Sequence, residues 1–247
     1  MRSGGATLFP PVSEAIILAG GLGMRLRSVL SDLPKPMAGV AGRPFLAYLL
    51  EYLESQGIRR VVLSVGYRFE AIRNYFGDQH GSIRIVYAVE EEPLGTGGAI
   101  ANALPLVESP VFFVCNGDTF LKLDYRAMAS LAELDRESFE LAVALRQIED
   151  TSRYGRAVLA GGRLEGFNAL GAGGPGLINA GVYLMTSQIF SKLDLPRKFS
   201  FEKEFLESRA AALRPLAFPC DVPFIDIGIP AALEEAQVLL PAWIASL

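Results

Sequence analysis

Histidine, cysteine and tryptophan are scarce in this sequence: its 247 residues include one His, two Cys and one Trp. The lone histidine, His80, falls in a polar turn, which favours a chemistry that needs no histidine base. Cys115 and Cys220 stand in apolar stretches without metal-ligand spacing, so they read as two buried thiols of a cytoplasmic protein. Charge is sparse as well. Only 20% of residues are Asp, Glu, Lys or Arg and the net charge is -4, with the cations scattered, so the broad basic face that grips nucleic acid is missing. No apolar run approaches the roughly 18 residues of a membrane-spanning helix. Residues 1–13 are rich in Gly and Pro, lack the apolar core of a signal peptide and are expected to form a flexible leader.

What the chain does have is apolar content, 51% with a mean hydropathy of +0.30, arranged in short alternating blocks. These predict one α/β domain over residues 14–247, a Rossmann-like three-layer sandwich on a mainly parallel mixed sheet. Ala15–Ala19 is a continuous apolar run that fits a strand covered on both faces, and it ends in Gly20-Gly-Leu-Gly23. Residues 44–56 carry Phe45, Leu46, Leu49, Leu50 and Leu53 at helical spacing, with Pro44 near the start and Gly57 just past the end. Strands are expected at 61–65, 83–89, 111–115, 141–145 and 177–185, and helices at 69–76, 97–106, 125–134, 201–212 and 230–240. A hairpin is expected at 155–167, a glycine-rich loop at 171–176 and a short apolar strand ending at Asp226.

The densest signal is Leu18-Ala-Gly-Gly-Leu-Gly-Met-Arg-Leu26 followed by Leu33-Pro-Lys-Pro-Met37. Glycines after a strand let backbone N–H groups converge on an anion, and Arg25 and Lys35 then bring positive charge to it. The spacing is neither that of a P-loop nor that of the dinucleotide fingerprint. Downstream stand Glu90-Glu-Glu-Pro-Leu-Gly-Thr-Gly-Gly-Ala99, Asn116-Gly-Asp118, Arg153-Tyr-Gly155, Asn179-Ala-Gly-Val-Tyr183 and Phe224-Ile-Asp-Ile-Gly228. Together, and in this order, these segments resemble the sugar-phosphate nucleotidyltransferases, whose signature is G-G-x-G-T/S-R-L followed by P-K-P. Among them the chain looks most like the D-glycero-α-D-manno-heptose 1-phosphate guanylyltransferases, with the mannose 1-phosphate enzymes as near relatives.

The resemblance implies transfer of a guanylyl group from GTP to a sugar 1-phosphate, heptose favoured, with release of pyrophosphate, feeding cell-surface polysaccharide assembly. It implies Asp118 and Asp226 as the ligands of Mg²⁺, an ion that takes one or two carboxylates plus phosphate oxygens and keeps several waters. It assigns Arg25 to the β and γ phosphates, Lys35 to the α phosphate and the sugar phosphate, and Leu18, Gly20, Gly21, Gly23 and Asn116 to the nucleotide. Tyr154, Gly155 and Asn179 fall to the sugar. Glu90 is the candidate reader of guanine, which offers two adjacent donors that one carboxylate accepts together, with Gly95 and Gly97 letting the base approach the backbone. A sugar phosphate with a second pKa near ~6 is already a nucleophile at neutral pH, so no protein base is required.

Two positions depart from the pattern. Met24 replaces a Thr or Ser, and the Glu-Lys pair expected after Phe167 is missing, its place taken by Asn168-Ala-Leu-Gly171. Arg153, or Lys203 from Phe201-Glu-Lys203, is the candidate substitute as partner of the sugar phosphate. Two other readings stand beside the first: a nucleotidyltransferase for mannose or another hexose 1-phosphate, and a non-catalytic sensor of nucleotide sugars. The apolar segment 238–244 offers itself either to its own core or to a second copy in a homodimer.

Overall fold

The computed structural model describes residues 11–21, 33–135, 138–168, 171, 173–191 and 193–247. In chain order its strands are β1 (Glu14–Leu18), β2 (Gly39–Val40), β3 (Arg43–Pro44), β4 (Arg60–Val65), β5 (Gln79–His80), β6 (Ile83–Val89) and β7 (Val111–Asn116). They continue as β8 (Thr119–Leu121), β9 (Leu141–Ile148), β10 (Ala157–Ala160), β11 (Arg163–Phe167), β12 (Gly176–Thr186), β13 (Leu216–Cys220) and β14 (Phe224–Asp226). The α-helices are α1 (Phe45–Ser55), α2 (Phe69–Phe76), α3 (Gly95–Ala103), α4 (Tyr125–Leu134), α5 (Ser208–Leu213) and α6 (Pro230–Ile244).

Among the described residues, ten strands form one sheet in the order β10-β11-β13-β9-β12-β7-β1-β4-β6-β5. The run β7-β1-β4-β6 is parallel, β13 is parallel to β9, and β12 is antiparallel to both neighbours. β1 shows why a continuous apolar run makes a central strand. Ala15 and Ile17 pack with residues of α1, α2, α4 and α6 on one face, whereas Ile16 packs with Ile100 of α3 and Phe201 and Phe205 on the other. The result is three layers with a core on each side of the sheet.

Local chemistry sets the boundaries. The side chain of Asp124 caps α4 by accepting from the N–H of Ala127 at 2.9 Å. Gly77, at φ 60°, follows α2 in a conformation that other residues resist. The helix expected at 97–106 stops at Ala103 and gives way to a 3₁₀ turn over Leu104–Leu106, where Pro105 has no N–H to continue the ladder. The helix expected at 201–212 opens instead as a π-helical stretch, Phe201–Glu207, before α5. Short pairings escaped the periodicity: the β2–β3 ribbon, β5 carrying His80, and β8, which pairs antiparallel with β14. Part of the tail packs inward, with Leu240 fully buried and the Trp243 ring 5.8 Å from that of Phe120, while Val238 stays exposed.

Candidate active site

The carboxyl ends of β1, β4 and β7 lie level, with Leu18 opposite both Ser64 and Asn116 in the register. Open sheets of this kind bind ligands beyond that edge. A cleft of about 430 Å³ opens there, its walls including Leu18, Gly20, Lys35, Glu90, Thr96 and Asp118. A larger hollow of about 530 Å³ lies at the opposite ends of the strands against Val12, Pro110 and Arg126. Size does not make it the site: Lys35 and Asp118 line the smaller cleft, and Asp226 is held against Lys35.

Asp118 follows β7 and begins the turn into β8. Because β8 pairs with β14, with Asp226 opposite Thr119, the ribbon carries the second carboxylate to the first. The N–H of Ile227 donates to the backbone oxygen of Asp118 at 3.0 Å and locks the two turns together. Lys35 stands on a 3₁₀ turn whose Pro36 and Met37 are buried, an anchor that holds its ammonium over the pair. Its Nζ donates to Asp118 Oδ2 and lies 3.7 Å from Asp226 Oδ1. The N–H of Gly228 donates to Asp226 Oδ1 at 2.8 Å. Burial, and next the charge of Asp118, push the Asp226 carboxyl above its ordinary value, against the opposing pull of Lys35, Gly228 and Arg153.

The donor set suits a hard divalent cation. Two half-buried carboxylates compete for one lysine, and each keeps lone pairs that a cation with retained waters and phosphate oxygens can use. Among the described residues no cluster of three His, Cys, Asp or Glu is present.

Glu90 ends the β6 wall. Its Oε1 accepts from the Ser64 hydroxyl at 3.1 Å and its Oε2 from the Leu94 N–H at 3.1 Å, which leaves further lone pairs on both oxygens facing the cleft. A Cβ on Gly20 would lie 2.9 Å from Glu90 Oε1, so glycine there is what lets the first loop close on this carboxylate. Gly95 and Gly97 also answer a packing demand: Cβ atoms there would strike the Phe199 backbone at 2.5 Å and its ring at 2.1 Å. They allow the segment around Phe199 to zip onto the loop, where Phe199 exchanges backbone bonds with Leu94 and Gly97.

Near the Asn116 edge of the cleft, the β9–β12 pairing shifts register between Asn179 and Tyr183. Gly181 lies inside it at φ 69°, and a Cβ there would be 2.6 Å from Asn116 Nδ2, so the bulge packs directly on Asn116. Asn116 Oδ1 is buried without a hydrogen-bond partner among the described residues, an acceptor that a ligand hydroxyl can satisfy. Tyr154 is half-buried; burial first, and then the charge of Asp226, push its hydroxyl above the ordinary value. The Arg153 guanidinium lies 5.7 Å from the Tyr154 ring centre, and its charge reaches Asp226 as well. Gly155 passes close under Asn168, whose backbone oxygen a Cβ would meet at 3.2 Å.

The structure thus gathers Leu18, Gly20, Gly21, Lys35, Glu90, Gly95, Asn116 and Asp118 around one cleft, with Asp226 held against Lys35. The charge of Arg153 reaches Asp226, the charge of Asp226 reaches Tyr154, and the N–H of Gly181, which packs on Asn116, donates to Asn179 Oδ1. Gly23 and Arg25 lie outside the described residues. Lys203 is not brought in: it is exposed, and its described bond is a backbone N–H donated to Ser200 Oγ at 3.2 Å. Its neighbour Glu202 turns inward instead, accepting from the Thr96 hydroxyl at 2.5 Å. Sequence reasoning passed over both Thr96 and Glu202, although each stands inside a segment it had singled out. His80 lies on the far edge strand β5, its ring edge-on to Phe76, with no part in the cleft.

Comparison with known proteins agrees with this geometry. The chain is 44% identical over 234 residues to a D-glycero-α-D-manno-heptose 1-phosphate guanylyltransferase of Aneurinibacillus thermoaerophilus, covering 94% of this chain and 100% of that one. It is 32% identical to mannose-1-phosphate guanylyltransferase 1 of Arabidopsis thaliana, over 88% of this chain and 62% of that protein. Among solved structures, HddC from Yersinia pseudotuberculosis superposes with a TM-score of 0.81 at 38% identity, covering 92% and 98% of the two chains, and has also been solved complexed with GMP-PN. The model of the nucleotidyl transferase family matches residues 14–242, and the chain belongs to that family.

Proposed function

We propose that the chain transfers a guanylyl group from GTP to D-glycero-α-D-manno-heptose 1-phosphate, giving GDP-heptose and pyrophosphate. The observation that carries the reaction class is the Lys35 ammonium bridging Asp118 and Asp226 at the mouth of a glycine-lined cleft. The 44% identity to a heptose enzyme over its whole length supports the choice of sugar, and the GMP-PN complex of a structural relative supports the choice of base. The carboxylate pair would hold Mg²⁺, which when bound neutralises phosphate charge and orients the phosphates for in-line displacement.

The chain's own residues do the rest. Glu90 accepts the two adjacent donors of guanine, fixed in place by Ser64 and the Leu94 N–H. Lys35 is the cation at the α phosphate: its ammonium, held at the Asp118–Asp226 pair on the cleft wall, would meet the phosphate oxygens of both substrates. The sugar phosphate oxygen attacks the α phosphorus, the bond to the bridging oxygen of the β phosphate breaks, and pyrophosphate leaves with that electron pair. The attacking phosphate monoester already carries a free oxyanion, so no proton has to be removed by the protein. Arg153, beside Tyr154, is the partner of the sugar phosphate in place of the missing lysine.

Pyrophosphate release tests this. Purified protein with Mg²⁺ is given each nucleoside triphosphate in turn with the heptose phosphate or mannose 1-phosphate. The expected result is release with GTP and the heptose phosphate, abolished by EDTA. Release with mannose 1-phosphate alone would move the assignment to a hexose enzyme, and nucleotide binding with no release from any pair would leave the sensor.

A further inference from the structure

Among the described residues the buried polar and charged side chains are Glu14, Ser64, Thr119 and Thr151. Burying such a group costs free energy unless a partner satisfies it, so each marks a bond that the fold is built around. Glu14 takes the guanidinium of Arg60 and the N–H groups of Glu108 and Ser109. Ser64 holds Glu90, and Thr151 donates to the backbone oxygens of Gly173 and Gly174. Thr119, the first residue of β8 and 7% exposed, stands next to Asp118 in the chain and opposite Asp226 across the ribbon. Its hydroxyl donates to Asp118 Oδ1 at 3.3 Å, the one bond that it makes among the described residues.

The bond from the Ile227 N–H to the Asp118 carbonyl ties down the backbone of this turn but leaves the carboxylate free to rotate, because the last torsion of an aspartate is broad and two-fold. Lys35 bonds Oδ2 and Thr119 bonds Oδ1, so one donor on each oxygen sets the plane of the carboxylate. Asp226 is held from its own turn in the same way, by the N–H of Gly228 on Oδ1. Packing alone does not ask for the Thr119 hydroxyl, since a valine has the same shape and suits a buried strand as well. We infer that Thr119 is a positioning residue for the divalent cation: by fixing the Asp118 carboxylate it sets the affinity for the ion, without lining the cleft itself. This rests on the reading of Asp118 and Asp226 as the ligands of that ion.

The test exchanges atoms at this one position. Binding of Mn²⁺, which shares the preference of Mg²⁺ for oxygen ligands and has a spin-resonance signal, is measured on protein saturated with a non-hydrolysable GTP analogue, so that no turnover is needed. Thr119→Val keeps the shape and removes the hydroxyl, whereas Thr119→Ser keeps the hydroxyl and removes a methyl group. Loss of an outer partner of a ligating carboxylate lowers metal affinity roughly 10- to 100-fold, so Thr119→Val should bind Mn²⁺ at least about tenfold more weakly and Thr119→Ser within about threefold of wild type. In pyrophosphate release the Mg²⁺ concentration at half-maximal rate should rise by the same factor in Thr119→Val, with most of the rate regained at saturating ion. A residue needed only for packing gives the reverse order, Thr119→Val like wild type and Thr119→Ser impaired, and that order overturns the inference. Equal Mn²⁺ affinity in all three proteins overturns it too. Absence of Mn²⁺ binding by the wild type removes the ligand reading and the inference with it, an outcome distinct from the other two. Should Thr119→Val unfold early on heating, Thr119→Cys takes its place beside Thr119→Ser, a pair that differs in one atom and sets a weak donor against a strong one. Thr119→Cys should then be the weaker binder, and equal affinity in that pair overturns the inference.

Discussion

The two halves of the cleft are built differently. The nucleotide half rests on β7-β1-β4-β6, an unbroken parallel ladder whose strand ends place Leu18, Ser64 and Asn116 in one row. The sugar half rests on β9 and β12, an antiparallel pair interrupted by a bulge, faced by a π-helical turn and bounded by a loop with positive-φ glycines at 171, 173 and 174. Leu18 and Asn116, expected at the nucleotide, stand where regular pairing fixes position, whereas Lys35 and Asp226 are held from outside the ladder by a 3₁₀ turn and the β8–β14 ribbon. The residues expected to meet the sugar stand on irregular backbone, where a residue can be re-aimed without disturbing the sheet. Relatives at about a third identity or better carry names that differ in the sugar and agree on guanylyl transfer.

That division orders the expected effects of substitution. Asp118→Ala removes a carboxylate from the charge pair and should lower kcat by roughly 10³-fold with GTP or any other triphosphate, read as pyrophosphate release. Lys35→Ala should cost roughly 10²-fold, and Lys35→Arg should not restore it, because a planar fork does not replace a point charge lodged between two carboxylates. Glu90→Gln should lower kcat/KM for GTP by roughly 10- to 100-fold while leaving the weak rates with other triphosphates within a few-fold, since only guanine presents the donor pair. On the sugar side, Arg153→Ala should raise the sugar phosphate KM by roughly tenfold with little change in the GTP KM, whereas Lys203→Ala should change both by less than about twofold. Equal effects of Arg153→Ala and Lys203→Ala would break the contrast between a charge coupled to Asp226 and one left in solvent.

The same division explains what the sequence disclosed. Continuous apolar runs and glycine turns mark the parallel half, so β1, β4, β6 and β7 were legible, with Asp118 and Glu90 just past their ends; Lys35, on a 3₁₀ turn away from them, was singled out by its Lys-Pro motif. Asp226 was legible from its motif; its place beside Asp118 depends on the three-residue pairing of β8 with β14, too short to leave a periodic trace. Thr96 and Glu202 were hidden for another reason. Their meaning lies in a contact between residues 106 positions apart, and a glutamate beside an exposed lysine on an amphipathic stretch reads as solvated surface. Gly97 is expected to make room for a base; in the fold a Cβ there would also strike the Phe199 ring, a packing demand that no local pattern carries.

The smallest expected effect compares the two thiols, one in each half. Cys115 lies inside β7, fully buried against the Tyr125 hydroxyl, and burial pushes its thiol up to about 12, only partly offset by that contact. Cys220 ends β13 on the sugar side, is partly exposed, and is pushed up to about 11, again first by burial, with Arg146 pulling the other way. The thiolate is the reactive form, so at pH 8 both should react with a disulfide reagent far more slowly than a free thiol. Cys115 should react only when the parallel core opens, at a rate that tracks global unfolding. Cys220 needs only local movement at the end of β13 and should react first, with no loss of folded signal. Quantifying labelled peptides after timed exposure reads both rates on one sample. Reversal of that order would mean that β7 is the looser strand, and the contrast between a rigid nucleotide half and an adjustable sugar half would fall with it.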